Sequence, residues 1–405
     1  MPGRGDPHRR LTIVERVVVV GGGLAGYRFA QSLREAGYGG RVTIVSDEQH
    51  LPYDRPPLSK QLLAGTYTED QCTLPGDVPE VEWVLGRRAM RLDRDRQVVV
   101  LDDGAEVPYD GLLIATGRRA RPWAGPMPAS GVHTLRDLAD TAAFRSSISP
   151  DAKVVIVGAG FIGCEVAATL RKEGIEVTVV DVAPHPMPVM GPEVGARAAR
   201  IHEARGVRFR LGRGVAGFEG EDRVTGVRLE DGELLEASVV LVAVGSVPNS
   251  EWFADAGLSM DRGVVVCDAT CTVLDADGQP VAGILAAGDI AAWPHHHGEG
   301  AVCIEHWSNA RDMADLAARN LLLPVGERSE MAAMASVPTF WSDQYDVKIK
   351  SAGFLRAADT WTIVEEDAEK PSLLAEGRRD GQLVGAIAFN MNRSIIGYQR
   401  QLVAP

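Results

Sequence analysis

Long apolar runs are missing from this chain. The longest, around Val17 to Val20 and Val239 to Val244, stop well short of the ~18 residues of a membrane span, so no transmembrane helix is expected. Cysteine is scarce: the five present (Cys72, Cys164, Cys267, Cys271, Cys303) are odd in number, scattered and without a CxxC. That usage fits a reducing compartment and argues against structural disulfides. Positive charge is in deficit, with 42 Lys and Arg against 55 Asp and Glu and a net charge of -13. Nucleic acid and anionic membranes are thereby excluded as general partners, although a local basic patch is not. The opening MPGRGDPHRR has no apolar stretch, so it is expected to be a frayed tail rather than a secretion signal, and the protein is expected in the cytoplasm.

What the chain does have is 45% hydrophobic residues over 405 positions, enough for two or three domains at roughly 150 residues each. It also has two glycine loops of one shape. VVVVGGGLAG (17–26) and VVIVGAGFIG (154–163) each follow an apolar strand and open a helical stretch. In each, the first Gly (Gly21, Gly158) allows the tight turn. The second (Gly23, Gly160) lets backbone N–H groups approach a pyrophosphate, and the third (Gly26, Gly163) lets helix and strand pack. One such loop is a weak signal. Two, 137 residues apart, point to a resident flavin and an exchanging nicotinamide.

The first unit reads as a βαβ start, with a helix to about Ala36, the strand RVTIV, and then LPYDRPPLSK, whose prolines impose an extended backbone. A helix is expected after Leu58. An antiparallel excursion turns at Asp103 and Gly104 and returns through the buried strand GLLIATG. The second unit repeats the pattern from Lys153 to VVLVAVG at 239–245, and GILAAGDIA followed by the amphipathic ARDMADLAARNLL completes the first. Strand-like FWSDQYDVKIKSAGF, WTIVEE and QLVGAIAFN make an α+β end. The expected architecture is α/β: two Rossmann-like dinucleotide-binding domains, of glutathione reductase-like arrangement, plus a C-terminal α+β domain. The boundaries are 1–118 with 244–326 for FAD, 119–243 for NADH, and 327–405.

A Rossmann site selects its dinucleotide partly by the acid ending the second strand. In the second unit that acid is Asp181, with no Arg or Lys in the six residues after it, which favours NADH over NADPH. In the first unit Ser46 holds the matching place, and Asp47 and Glu48 come next, within reach of an adenosine ribose. Gly288 and Asp289 after an apolar strand suit a carboxylate aimed at ribityl hydroxyls, or simply a cap for a following helix. Cys164 reads as a small packed side chain, and no CxxC or spaced ligand set surrounds Cys267, Cys271 or the His295 to His297 run, so no metal site is expected.

LPYDRPPLSK, GILAAGDIA, EHWSNA and FWSDQ, in that order, make the chain resemble the NADH-dependent ferredoxin reductases that serve bacterial monooxygenases and aromatic dioxygenases. The resemblance runs from Val17 to about Gln401. To the loop residues Gly21, Gly23, Leu24 and Gly26, and to Glu48 and Gly288, it adds implied FAD contacts from Ala25, Asp47, Arg55, Lys60, Ala89, Arg136, Asp289 and Trp307. Beside Gly158 and Gly163 of the glycine motif, it implies NADH contacts from Gly160, Phe161, Ile162, Glu165, Asp181, Gly245 and Glu305. Lys60 and Glu165 would pair beside the flavin N5, Trp307 would wall the ring, and Trp341 would help position the nicotinamide. The implied partner is a [2Fe-2S] ferredoxin feeding a haem-thiolate monooxygenase or an aromatic-ring dioxygenase, docking on Arg311 or the arginines around Arg118 to Arg121.

Two places depart from the family pattern: Cys303 stands where Arg is common, and Asp312-Met313 replaces Gln-Gly. A flavoenzyme reducing a small molecule directly, or an NADH-sensing protein resembling apoptosis-inducing factor, stays open at this point. A disulfide reductase does not fit, because LPYDRPPLSK carries no cysteine and none precedes Cys72.

Overall fold

The computed structural model describes residues 14–76, 78, 80–295, 300–323, 330–367 and 370–403; His296 and His297 lie outside them. The chain divides into two compact units, 1–53 with 74–118 and 248–336, and 54–73 with 119–247 and 337–405.

The first unit is built on Arg16–Val20, whose valines are almost fully buried. It pairs in parallel with Arg41–Ser46 on one side and Gly111–Ile114 on the other. Val81–Leu85 extends one edge and Pro280–Ala286 the other, with Thr272–Leu274 added antiparallel as the sixth strand. A buried parallel sheet needs apolar runs rather than alternation, which is why VVVV and GLLI read as they do. The strand order reverses at Arg16–Val20, so the crevice at its carboxyl end is where such sheets bind ligands. The helices Leu24–Glu35 and Trp307–Leu321 lie side by side, tied where Asp315 accepts from Ser32 Oγ at 2.6 Å and pairs with Arg28.

The second unit repeats the design with a five-stranded parallel sheet, Val132–His133, Val239–Val242, Lys153–Val157, Glu176–Asp181 and Arg208–Leu211 in spatial order. Its C-terminal part is an antiparallel five-stranded sheet that starts at Thr339–Gln344, with the helix Asn392–Leu402 packed on it. The other face of that sheet shares a core with the Gly191–Glu203 helix: Met190, Val194 and Ala198 pack with Val347, Ile349, Ile387 and Phe389. Leu63 is buried with Phe144, Val154 and Val166, which brings residues 54–73 into this unit. The helix expected after Leu58 is instead one 3-10 turn, Pro56–Ser59, followed by irregular turns. Pro56 and Pro57 are tolerated in a first turn, whose N–H groups have no partner within the helix, but Lys60 (φ -127, ψ -98) leaves helical space, so no α-helix propagates. No helix among the described residues is long and apolar enough to cross a membrane.

Candidate functional site

The two loops have one geometry. A Cβ on Gly21 would meet Ala115 O at 2.1 Å, and one on Gly158 would meet Ala243 O at 2.3 Å. Both residues have φ above +100° and bring the chain against the neighbouring strand end. A Cβ on Gly26 would sit 2.0 Å from Gly21 O, and one on Gly163 2.0 Å from Gly158 O. Gly23 and Gly160, between them, face open space within 4 Å, and each caps its helix with no side chain on the amides. Free amides, the positive end of a helix and room for a bulky anion fit a dinucleotide pyrophosphate in both places.

Asp181, at the end of Glu176–Asp181, accepts from the N–H groups of Ala159 (2.5 Å) and Ala183 (2.7 Å). Each oxygen keeps a lone pair for a ribose hydroxyl. At the first loop the acids are engaged differently: Glu48 accepts from Tyr53 OH at 2.5 Å, and exposed Asp47 stands 3.8 Å from Arg88. Ala89 is buried in the Ala89–Asp93 strand of the same unit. Gly288 packs against the first helix, since its Cβ would lie 3.2 Å from Ala25 Cβ and 3.6 Å from Ala310 Cβ. Asp289 is thus the neighbour of a residue that touches the first turn of that helix. The next element after Asp289 is the strand Ala291–Pro294, so no helix follows it directly for its carboxylate to cap.

Trp307 opens its helix half-buried with the Arg311 guanidinium 5.5 Å from its ring. Glu305 is exposed and pairs with Arg118 at 3.2 Å. Arg118 is thus committed and only 12% exposed, which removes it from an open docking face. Cys303 Sγ donates to Asp289 O at 3.3 Å, and Met313 is fully buried beneath Cys271.

Arg55, Lys60 and Arg136 belong to the second unit, where Arg55 donates to Arg136 O and Arg136 N–H to Asp140. Here the sequence-distant residues converge. Lys60 Nζ lies 2.7 Å from Glu165 Oε2, with side chains only 12% and 5% exposed. Ser59 Oγ donates to the same oxygen, and Ser342 Oγ donates to Oε1 at 2.6 Å. Thr169 holds Ser59 in place through its carbonyl at 2.9 Å. Strand alternation turns Ser342 and Gln344 inward and leaves Trp341 38% exposed. Phe161, at the start of the second loop's helix, packs edge-on against Phe340 with ring centres 4.5 Å apart. Ile162 is exposed and Gly245 has open space around it. Cys164 is fully buried and donates to Ala159 O; burial pushes its thiol pKa far up, which leaves it inert.

The sequence alone does not single out Ser59, Ser342, Gln344 or His202. FWSDQ and PPLSK carry three of them, but nothing in the pattern of IHEARG marks His202. Burial lowers the His202 imidazole pKa from 6.5 to about 4. The unfolded chain therefore binds a proton that the folded one refuses between those values. Stability is fully present above pH 6.5 and is lost as pH falls toward 4, by up to ~3 kcal/mol. His202→Gln is expected to flatten that slope in denaturant titrations run from pH 7 to 4. An unchanged slope would assign it to other groups.

The parallel sheets, the paired open cradles and the buried ion pair on the second helix define a two-dinucleotide oxidoreductase. Residues 15–314 match the pyridine nucleotide-disulphide oxidoreductase family and 339–404 the reductase C-terminal family. The chain is 35% identical over 393 residues to the ferredoxin–NAD(+) reductase subunit of the benzene 1,2-dioxygenase system of Pseudomonas putida, covering 92% of this chain and 94% of the relative. It is 37% identical over 389 residues to the corresponding component of the biphenyl dioxygenase system of Paraburkholderia xenovorans, covering 94% and 91%. Among solved structures, the covalent putidaredoxin reductase–putidaredoxin complex superposes with a TM-score of 0.87 at 31% identity, over 96% of this chain and 93% of that one. The chain belongs to the FAD-dependent NADH:ferredoxin reductases of the oxygenase-coupled, putidaredoxin reductase-like type.

Proposed function

We propose that this reductase takes electrons from NADH through FAD and passes them to a [2Fe-2S] ferredoxin that feeds a haem-thiolate monooxygenase or an aromatic-ring dioxygenase. The observation that carries it is the pair of cradles of one geometry, which we read as one for a resident and one for an exchanging dinucleotide. FAD, when bound, supplies the conversion of a two-electron hydride donor into single electrons. The chain supplies position and charge. The first loop, with Asp289 and Trp307, would hold FAD. The second, with Asp181, would hold NADH, and Trp341 would help place the nicotinamide. Lys60, paired with Glu165, would favour negative charge on the reduced flavin. We assign 1–118 with 244–326 to FAD, 119–243 to NADH and 327–405 to a C-terminal domain. Five cysteines outside any disulfide support a cytoplasmic setting.

Anaerobic reduction of the purified protein by NADH and by NADPH, followed by cytochrome c reduction with a panel of [2Fe-2S] ferredoxins, tests this directly. NADH is expected to be preferred, and a protein that purifies without FAD would overturn the reading. Asp181→Ala is expected to raise the KM for NADH about tenfold, the worth of one charge-assisted hydrogen bond. An unchanged KM, measured at saturating ferredoxin, would remove Asp181 from the coenzyme site.

A further inference from the structure

Glu165 ends a chain of hydrogen bonds whose direction is dictated by chemistry. Paired with Lys60, it is a carboxylate and can only accept, so Ser342 Oγ must donate to it. That spends the hydroxyl's one proton. Ser342 can then only accept from Gln344, 3.0 Å away, which puts the Gln344 NH2 group on that side; Met187 Sδ, 3.3 Å from the same nitrogen, accepts there too. The Gln344 carbonyl oxygen therefore faces His202 Nε2 at 2.8 Å and can only accept, so Nε2 carries the proton. Nδ1 is left as an acceptor for Tyr345 OH at 3.3 Å. Every bond points from Tyr345 toward Glu165, and aligned bonds polarise one another.

We propose that His202 is a positioning residue for flavin reduction: as the neutral Nε2–H tautomer it fixes the direction of this chain, which holds Glu165 as an anion and Lys60 as its ammonium partner. The proposal rests on the reading that Lys60 and Glu165 act on the bound flavin. The surroundings support it. His202 is 1% exposed and meets the edges of Phe209 and Tyr345. Among the described residues, the charge acting on it from nearby is the Arg205 guanidinium, which stacks on the Tyr345 ring at 4.6 Å and pairs with Asp346. Burial, and after it that cation, disfavour imidazolium and outweigh the Gln344 acceptor, which favours it. Arg205 and Arg171 act on Tyr345, and Lys172 donates to its backbone carbonyl. Burial pushes the Tyr345 hydroxyl pKa up to about 12, so it remains a donor.

The test has two arms on the FAD-loaded enzyme. In 15N-histidine NMR, with His202 assigned by the shift that Tyr345→Phe imposes, the signal is expected to report the neutral Nε2–H tautomer from pH 8 to 5. A Nδ1–H or charged imidazole at pH 7 overturns the proposal, and this arm needs no variant of His202 to fold. The second arm follows the pH profile of NADH-driven flavin reduction. His202→Leu is expected to move the acid limb upward by about one pH unit, a tenfold change in proton concentration. His202→Gln, whose amide can donate to Gln344, is expected to restore most of it. A lowered Tm with an unmoved profile in His202→Leu, while Glu165→Gln moves it, overturns the positioning role. A Glu165→Gln profile identical to wild type overturns the reading beneath it, and the proposed effect on reduction falls with it.

Discussion

Glu165→Leu is expected to destabilise the enzyme by about 3–5 kcal/mol and to slow NADH-driven flavin reduction severely. The cost does not come from the lost attraction alone. Lys60 is only 12% exposed, so removing its partner leaves a buried, uncompensated charge, the situation in which breaking an ion pair is most expensive. The hydroxyls of Ser59 and Ser342 lose their acceptor at the same time, at ~1 kcal/mol or more each. The double variant Lys60→Met, Glu165→Leu separates the two consequences. With no charge left to strand, most of the stability should return, whereas flavin reduction should not. Denaturant midpoints of the single and double variants, with stopped-flow reduction by NADH, read both. A double variant as unstable as Glu165→Leu would mean that packing around the hydroxyls, and not charge, dominates the site.

How much of this is legible in the sequence depends on range. The glycine loops and their strands are readable because each is a local device: a positive φ, a close backbone approach or a helix N-terminus leaves its mark within ten residues. The buried strands are readable because a parallel sheet covered on both faces forces unbroken apolar runs such as VVVV and VVIV. Lys60 and Glu165 are reached only through family resemblance, since they stand 105 positions apart and either alone reads as a solvated charge. His202 leaves no trace at all, because its partners Gln344 and Tyr345 lie more than 140 positions away and one histidine on an amphipathic helix looks like many others. The stretch after Leu58 departs from expectation for a local reason: a proline pair suits the start of a helix, but at Lys60 the backbone turns away.

The pairing of sheet and helix in the second unit also escapes the sequence. Val347, Ile349, Ile387 and Phe389 announce an apolar sheet face, yet nothing in their alternation says what covers it. The covering helix, Gly191–Glu203, carries His202 as well. The packing that buries the sheet therefore also delivers the imidazole to Gln344, so the position of the Glu165 carboxylate depends on residues contributed by three separate stretches of chain.

The glycines of the second loop should separate folding from coenzyme binding more sharply than any other substitutions. At Gly163 an added Cβ would lie 2.0 Å from the Gly158 carbonyl oxygen, a backbone atom that cannot swing aside. Gly163→Ala is therefore expected to cost on the order of 5 kcal/mol, the extreme of single substitutions. At Gly160 the same methyl meets nothing within 4 Å, and the residue sits at φ -71, ψ -173, a conformation alanine adopts freely. Gly160→Ala should fold with stability changed by less than about 0.5 kcal/mol. Its methyl, however, would project into the space where a pyrophosphate must approach the helix amides. NADH affinity should then fall about 100-fold, equivalent to ~2.7 kcal/mol, while the bound flavin stays in place. Thermal melts give the first quantity, and titration of the oxidised enzyme with a non-reducing NADH analogue gives the second. Wild-type affinity in a well-folded Gly160→Ala would show that the coenzyme does not enter through this loop.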